Sequence, residues 1–199
     1  NVDRPGVVPR PGLVAVATRV DGGDASVVRL TGDLGRTWST FQRFDQRTTD
    51  LAWTNREQLP VLVMSTDGGL YQRPLLSDGT AVGSTPEAFA GESAAPITVK
   101  PDEPDLGFYG VVGFTSPAGV PCLAAAAQAQ GGVFLSVGDG PWQPLGLADV
   151  DTRGLVVQFD GPATTLWVAV GEADPARPGT GVYRARLFEP DVRWEAVSS

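Results

Sequence analysis

The side chains best placed to do chemistry are one thiol, Cys122, a few short acidic runs and five tryptophans. A nucleophilic cysteine needs a base beside it, and this chain contains no histidine. That absence excludes Ser-His-Asp and Cys-His catalysis within the chain, and every His-ligated zinc or haem site. A lone cysteine forms no intrachain disulfide, so Cys122, set in an apolar run, is expected to be a buried and inert thiol. Asp21 and Asp24 flank two glycines and invite calcium, but their spacing fits no established loop and a hairpin turn is the simpler account. Asp149 and Asp151, ahead of the apolar run at Leu155, receive the same reading. No phosphate-binding loop and no Gly-x-Gly-x-x-Gly element opening a helix is present. The expectation is therefore no catalytic, cofactor-binding or metal-ligating residue, and no cofactor.

Composition narrows the partners. The chain has 199 residues, 42% of them hydrophobic, which suits a folded core. A net charge of −8 disfavours nucleic acid, whose phosphates need a basic face, and anionic membranes on the same grounds. No apolar run approaches the ~20 residues that span a bilayer. The chain opens on Asn1 and shows no signal peptide, so its compartment stays unread. Lys100 is the only lysine, an arginine bias that points to a high-GC bacterial source.

The elements that must position these residues emerge as a repeat. Segment one reads Leu13 to Ala17, a polar loop at 21–24, Ser26 to Leu30, a turn at Asp33, then Trp38. The last reads Leu166 to Val170, a Pro/Gly loop, Gly181 to Leu187, a turn at Asp191, then Trp194. Val61 to Met64 and Gly69 to Arg73 precede Asp78; Leu123 to Ala127 and Gly132 to Ser136 precede Asp139 and Trp142. Extra apolar runs at Leu51, Tyr109 and Leu155 supply a first strand to the three later segments. The alanines before Gln128 favour helix by propensity, but repeat position assigns them to a strand. Four-stranded units of about 40–50 residues are the mark of β-propeller blades, whose sheets bury both faces by leaning on neighbours. The fold expected is all-β: a propeller of about four blades of four antiparallel strands, the first incomplete, as part of a larger propeller. The blades fall at about 1–45, 46–107, 108–150 and 151–199. A compact four-blade ring with Val7-Val8 as a stub strand is the alternative. Residues 84–107 are expected as an inserted surface loop.

The stretch Thr31-Gly32-Asp33-Leu34-Gly35-Arg36-Thr37-Trp38 resembles the Asp-box, or bacterial neuraminidase repeat, of sialidase- and sortilin-like propellers. Asp78, Asp139 and Asp191 sit in partial copies. The resemblance implies a turn between the third and fourth strands of a blade, with the Asp accepting turn amides and the Trp packed into the hydrophobic layer. It also raises sialidase chemistry: an arginine cluster, a Tyr–Glu nucleophile pair and an acid/base Asp. Arg29, Arg73 and Arg184 occupy matching third-strand positions, which the repeat explains, and Arg186 lies beside them. Asp102, Glu103 and Asp105 precede Tyr109, where a solvated acidic loop is the simpler account. Trp38, Trp142 and Trp194 read as fourth-strand residues, and Trp53 and Trp167 as packed between blades.

The reading is thus a non-catalytic propeller, not an enzyme, that scaffolds or recognises another protein or further blades. It binds no nucleic acid and does not insert into membranes. A glycan-binding or sialidase-like glycoside hydrolase is the competing class.

Overall fold

The computed structural model describes residues 13–20, 22–56, 59–75, 94–129, 131–171 and 181–198. These contain strands and no helix. Strands β1 (Val14–Arg19), β2 (Ser26–Thr31) and β3 (Ser39–Phe44) form the first sheet. The second holds β4 (Thr48–Arg56), β5 (Leu59–Thr66), β6 (Gly69–Pro74) and β7 (Ala95–Ile97). The third holds β8 (Phe108–Thr115), β9 (Pro121–Ala127), β10 (Val133–Val137) and β11 (Gln143–Gly146). The fourth holds β12 (Asp151–Asp160), β13 (Ala163–Gly171), β14 (Gly181–Leu187) and β15 (Trp194–Ser198). Every sheet is an antiparallel meander in chain order.

Packing between sheets is concentrated on the leading strands: β4 lies against β8, and β8 against β12. This concentration makes each sheet a wedge, and the whole a partial β-propeller of four blades, the first with three strands. Three apolar layers join consecutive blades. Val28, Leu30 and Phe41 meet Leu62 and Met64; Val61, Val63 and Leu70 meet Phe108, Val111 and Ala125; Phe114 and Ala124 meet Leu166 and Val168. Each Val, Leu, Met or Phe among them contributes about 1.5–3 kcal/mol on burial, and each alanine less. Among the described residues no fourth layer joins the last sheet to the first.

Strand β9 shows why Ala124 to Ala127 are not helical. All four are fully buried, with Ala125 and Ala127 facing the second sheet and Ala124 facing the fourth. Sheets close on both sides leave room for small side chains only, so tertiary packing overrides helix propensity. Cys122 is buried in the same strand, and burial pushes its thiol up.

Two glycines are dictated by this closeness. A Cβ on Gly113 in β8 would stand 2.0 Å from the Trp53 carbonyl oxygen of β4. Gly132 enters β10 with φ +81°, and a Cβ there would meet the Gly146 oxygen at 2.7 Å. Two residues after such an entry glycine, Tyr71, Phe134 and Tyr183 all face the preceding sheet.

The Thr31–Trp38 turn is fully wired. Thr37 donates its N–H to Asp33 Oδ1 at 2.9 Å and its hydroxyl to Oδ2 at 2.7 Å. Thr31 Oγ1 donates to Oδ1 at 2.7 Å and accepts from Gly35 N–H at 2.9 Å. The Thr37 bonds, then the Thr31 bond, hold the Asp33 carboxyl down at about 2. The corresponding turn of the third blade is built differently: Ser136 donates its hydroxyl to the Gly140 oxygen, 3.0 Å away. Asp78 lies outside the described residues.

Two expectations are corrected. Trp38 does not enter the hydrophobic layer; it is 42% exposed and folds back on its own turn, donating Nε1–H to the Gly35 oxygen at 3.1 Å. Nor is 84–107 solely a loop. Within its described part, Ala95–Ile97 pair with β6 as the outermost strand of the second blade, and Ile97, Val99 and Leu106 pack on the core. Pro96 suits that edge, where an absent N–H breaks no ladder. Residues 1–12, including Val7-Val8, lie outside the described residues.

Candidate interaction surface

Strand alternation divides the fourth sheet into two faces. The aligned residues Leu155–Val168–Tyr183 and Val157–Leu166–Ala185–Trp194 point to the third sheet. The intervening rows, Val156–Trp167–Arg184–Glu195 and Gln158–Thr165–Arg186, therefore point the opposite way. No described sheet covers them, and Val156 is 64% exposed.

Trp167 is central to this outer face. Its Nε1–H donates to Gln158 Oε1 at 2.8 Å, and the Arg184 guanidinium lies 5.7 Å from its ring centre. Arg184 also pairs with Glu195 at 3.0 Å. Looser pairs follow, Arg186–Glu189 at 3.7 Å and Arg193–Asp191 at 3.8 Å. With Asp160 these groups line an open recess of about 480 Å³. Three arginines against four carboxylates leave the recess almost neutral, although the chain as a whole carries −8. Exposed pairs of this kind add only about 0–1 kcal/mol each to stability, so they are free to exchange partners.

A second polar neighbourhood lines the inner rim. Each of β4, β8 and β12 carries a β-bulge just after its start, at Thr48/Asp50, Phe108/Gly110 and Thr152/Gly154. The extra residues are Thr49, Tyr109 and Arg153, and the Arg153 guanidinium stacks 4.5 Å from the Tyr109 ring centre. Arg153 pairs with the buried Asp151. Nearby, Asp67 accepts from Arg47 at 2.9 Å and from Gln128 at 2.7 Å. Burial pushes the Asp67 carboxyl up, but these bonds outweigh it and hold the group below its ordinary value. These side chains tie neighbouring blades together.

The remaining candidates separate. Arg73 and Arg184 are not equivalent: Arg73 is buried and turned back onto Phe41 of the first blade, whereas Arg184 faces away from the third. One residue of register decides this, because side chains alternate across a strand. Arg29 is exposed on the first sheet. Asp102, Glu103 and Asp105 are all exposed, and Glu103 pairs with Lys100. Asp149 is exposed with φ +69°, and Asp24 is an exposed turn residue, while Asp21 is outside the described residues. Among the described residues no group of three potential ligands converges as a metal site. Trp53 packs between the first and second blades, as expected, and Trp142 packs on the core one residue ahead of β11. Trp194 packs between the third and fourth, its Nε1–H donating to the Leu145 oxygen at 3.0 Å. Trp167 departs from expectation by lying on the outer face. That placement was obscure in the sequence, where β13 reads Leu-Trp-Val-Ala-Val, apolar on both sides.

No family model matches the sequence, and no curated protein does. Among solved structures the chain is similar to one described as "YCF48 bound to D1 peptide", at 14% identity and a TM-score of 0.45. The likeness covers 96% of this chain and 55% of that one, so the chain spans about half its neighbour's length.

Proposed function

We propose that the chain is a non-catalytic interaction scaffold built from Asp-box blades, with the outer face of the fourth sheet as its docking surface. The observation that carries this reading is Trp167 set among exchangeable ion pairs on a face that no described sheet covers. Tryptophan and arginine dominate the binding energy of protein interfaces, and mixed charge favours a partner surface that is itself zwitterionic. A polyanion would meet four carboxylates there. The occupant is therefore another protein or a further blade. The Asp-box assignment rests on the hydrogen bonding of Asp33 by Thr37 and Thr31.

The competing reading is a glycan binder or a sialidase-like hydrolase, and Trp167 beside three arginines is the feature that favours it. Two measurements divide them. The scaffold reading expects no turnover of a fluorogenic sialoside and no glycan-array signal. It also expects proximity labelling in the source cells to enrich a defined partner with wild type and to lose it with Trp167→Ala and Arg184→Glu. Sialoside hydrolysis, or a glycan signal abolished by Trp167→Ala, overturns it.

A further inference from the structure

At the opposite end from the inner bulges, the third and fourth blades leave a cleft of about 470 Å³ between their turns. Pro117 and Ala118 wall it on one side, Pro162 and Phe188 on the other. Its predominantly apolar lining suits an aromatic side chain, for which it has ample room. Two observations set it apart from a chance gap. Thr164 lines the cleft, is only 1% exposed, and its Oγ1 has no hydrogen-bond partner among the described residues. A buried hydroxyl without a partner is costly, and native structures normally satisfy it. Phe188 stands at φ +64° while remaining 41% exposed. Bulky residues rarely adopt that conformation, and such strain gathers at ligand clamps.

We infer that this inter-blade cleft receives a tyrosine side chain of a protein partner, its ring between Pro117, Pro162 and Phe188 and its phenol hydrogen-bonded to Thr164. The walls supply apolar contact for the ring body. The unpaired hydroxyl supplies the one polar group that a phenol needs and a phenyl ring cannot use. Thr164 Oγ1 is shielded in the unliganded chain, so a χ1 step of about 120° to another staggered position accompanies binding. The cleft rests on the protein-interaction reading only for the source of the ring. It meets the outer-face recess at Ala163, Arg186 and Glu189, so one partner can span both.

The test uses the 199-residue chain with N-acetyl-L-tyrosinamide and N-acetyl-L-phenylalaninamide as probes, followed by amide NMR shifts. The expected result is saturable, millimolar binding that moves Ala118, Thr164 and Phe188, with the tyrosine probe about tenfold tighter. Thr164→Val should fold, since it removes an unsatisfied group, and should erase the preference while keeping the weaker binding. Ala118→Trp should fill the cleft and abolish both. Absent saturation, or a preference that survives Thr164→Val, overturns the inference. Trp167→Ala leaves the cleft intact, so failure of the outer-face reading is read separately, as lost partner labelling with probe binding unchanged.

Discussion

The Asp50 carboxylate of the second blade accepts the Val111 backbone N–H of the third at 3.1 Å. The same carboxylate accepts Leu51 N–H at 2.8 Å, so one side chain ties two leading strands. Removing it leaves a strand N–H unpaired between blades, and Asp50→Ala is expected to cost about 1–3 kcal/mol in urea unfolding. Burial, the largest influence, raises the Asp50 carboxyl above its ordinary value despite these bonds. The folded state therefore holds the proton more tightly than the unfolded chain does. Stability from this group is full below about pH 4 and declines as pH rises through the folded value. Relative to wild type, Asp50→Asn should gain thermal stability as pH rises above about 4; a difference independent of pH contradicts this.

Asp33 behaves in the opposite sense. Its carboxyl is held at about 2, below the unfolded value, so its contribution is present above about pH 4 and lost as pH falls towards 2. A carboxyl carbon titration by NMR should show a midpoint near the low end of that window. Thr37→Val removes the 2.7 Å hydroxyl bond and should move the midpoint up, while the Thr37 N–H bond keeps it below an ordinary aspartate.

Gly113 and Gly154 form a paired test of blade spacing. Gly113→Ala drives a methyl onto the Trp53 carbonyl and is expected to cost about 1–3 kcal/mol or more. Gly154→Ala, in the corresponding leading strand of the fourth blade, meets nothing within 4 Å and should change stability by no more than about 0.5 kcal/mol. Equal destabilisation in chemical unfolding contradicts the inter-blade contact.

Arg184 should separate binding from folding. Its pairing with Glu195 is exposed, so Arg184→Ala is expected to shift stability by less than about 0.5 kcal/mol. The same change should remove partner labelling. A large loss of stability would identify Arg184 as a structural residue.

Much of the blade pattern could be read from residue order. The strands at Val61, Leu123 and Leu166 follow from turn position, even where four alanines favour helix. Register was far less legible. Tyr183 and Arg184 are adjacent in sequence, yet one packs on the third blade and the other faces outward. Aligning Arg73 with Arg184 instead of Ala185 therefore reverses the face. Trp167 was obscured because its strand is apolar on both sides, and only its pairing with Arg184 distinguishes them. Strand β7 was missed because it is only three residues long, Ala95 and Pro96 have little strand propensity, and the stretch is Pro-rich. Neither recess has a linear signal, since each is assembled from several turns or strands.

The bulges at the inner rim separate two jobs that a strand usually combines. Thr49, Tyr109 and Arg153 stand outside the ladder pairing, so replacing one changes what the rim displays without resetting a register. Each is free to make a different tie between blades: Thr49 donates its hydroxyl to the Phe108 oxygen of the next blade, and Arg153 reaches Asp151 and the Tyr109 ring of the blade before it.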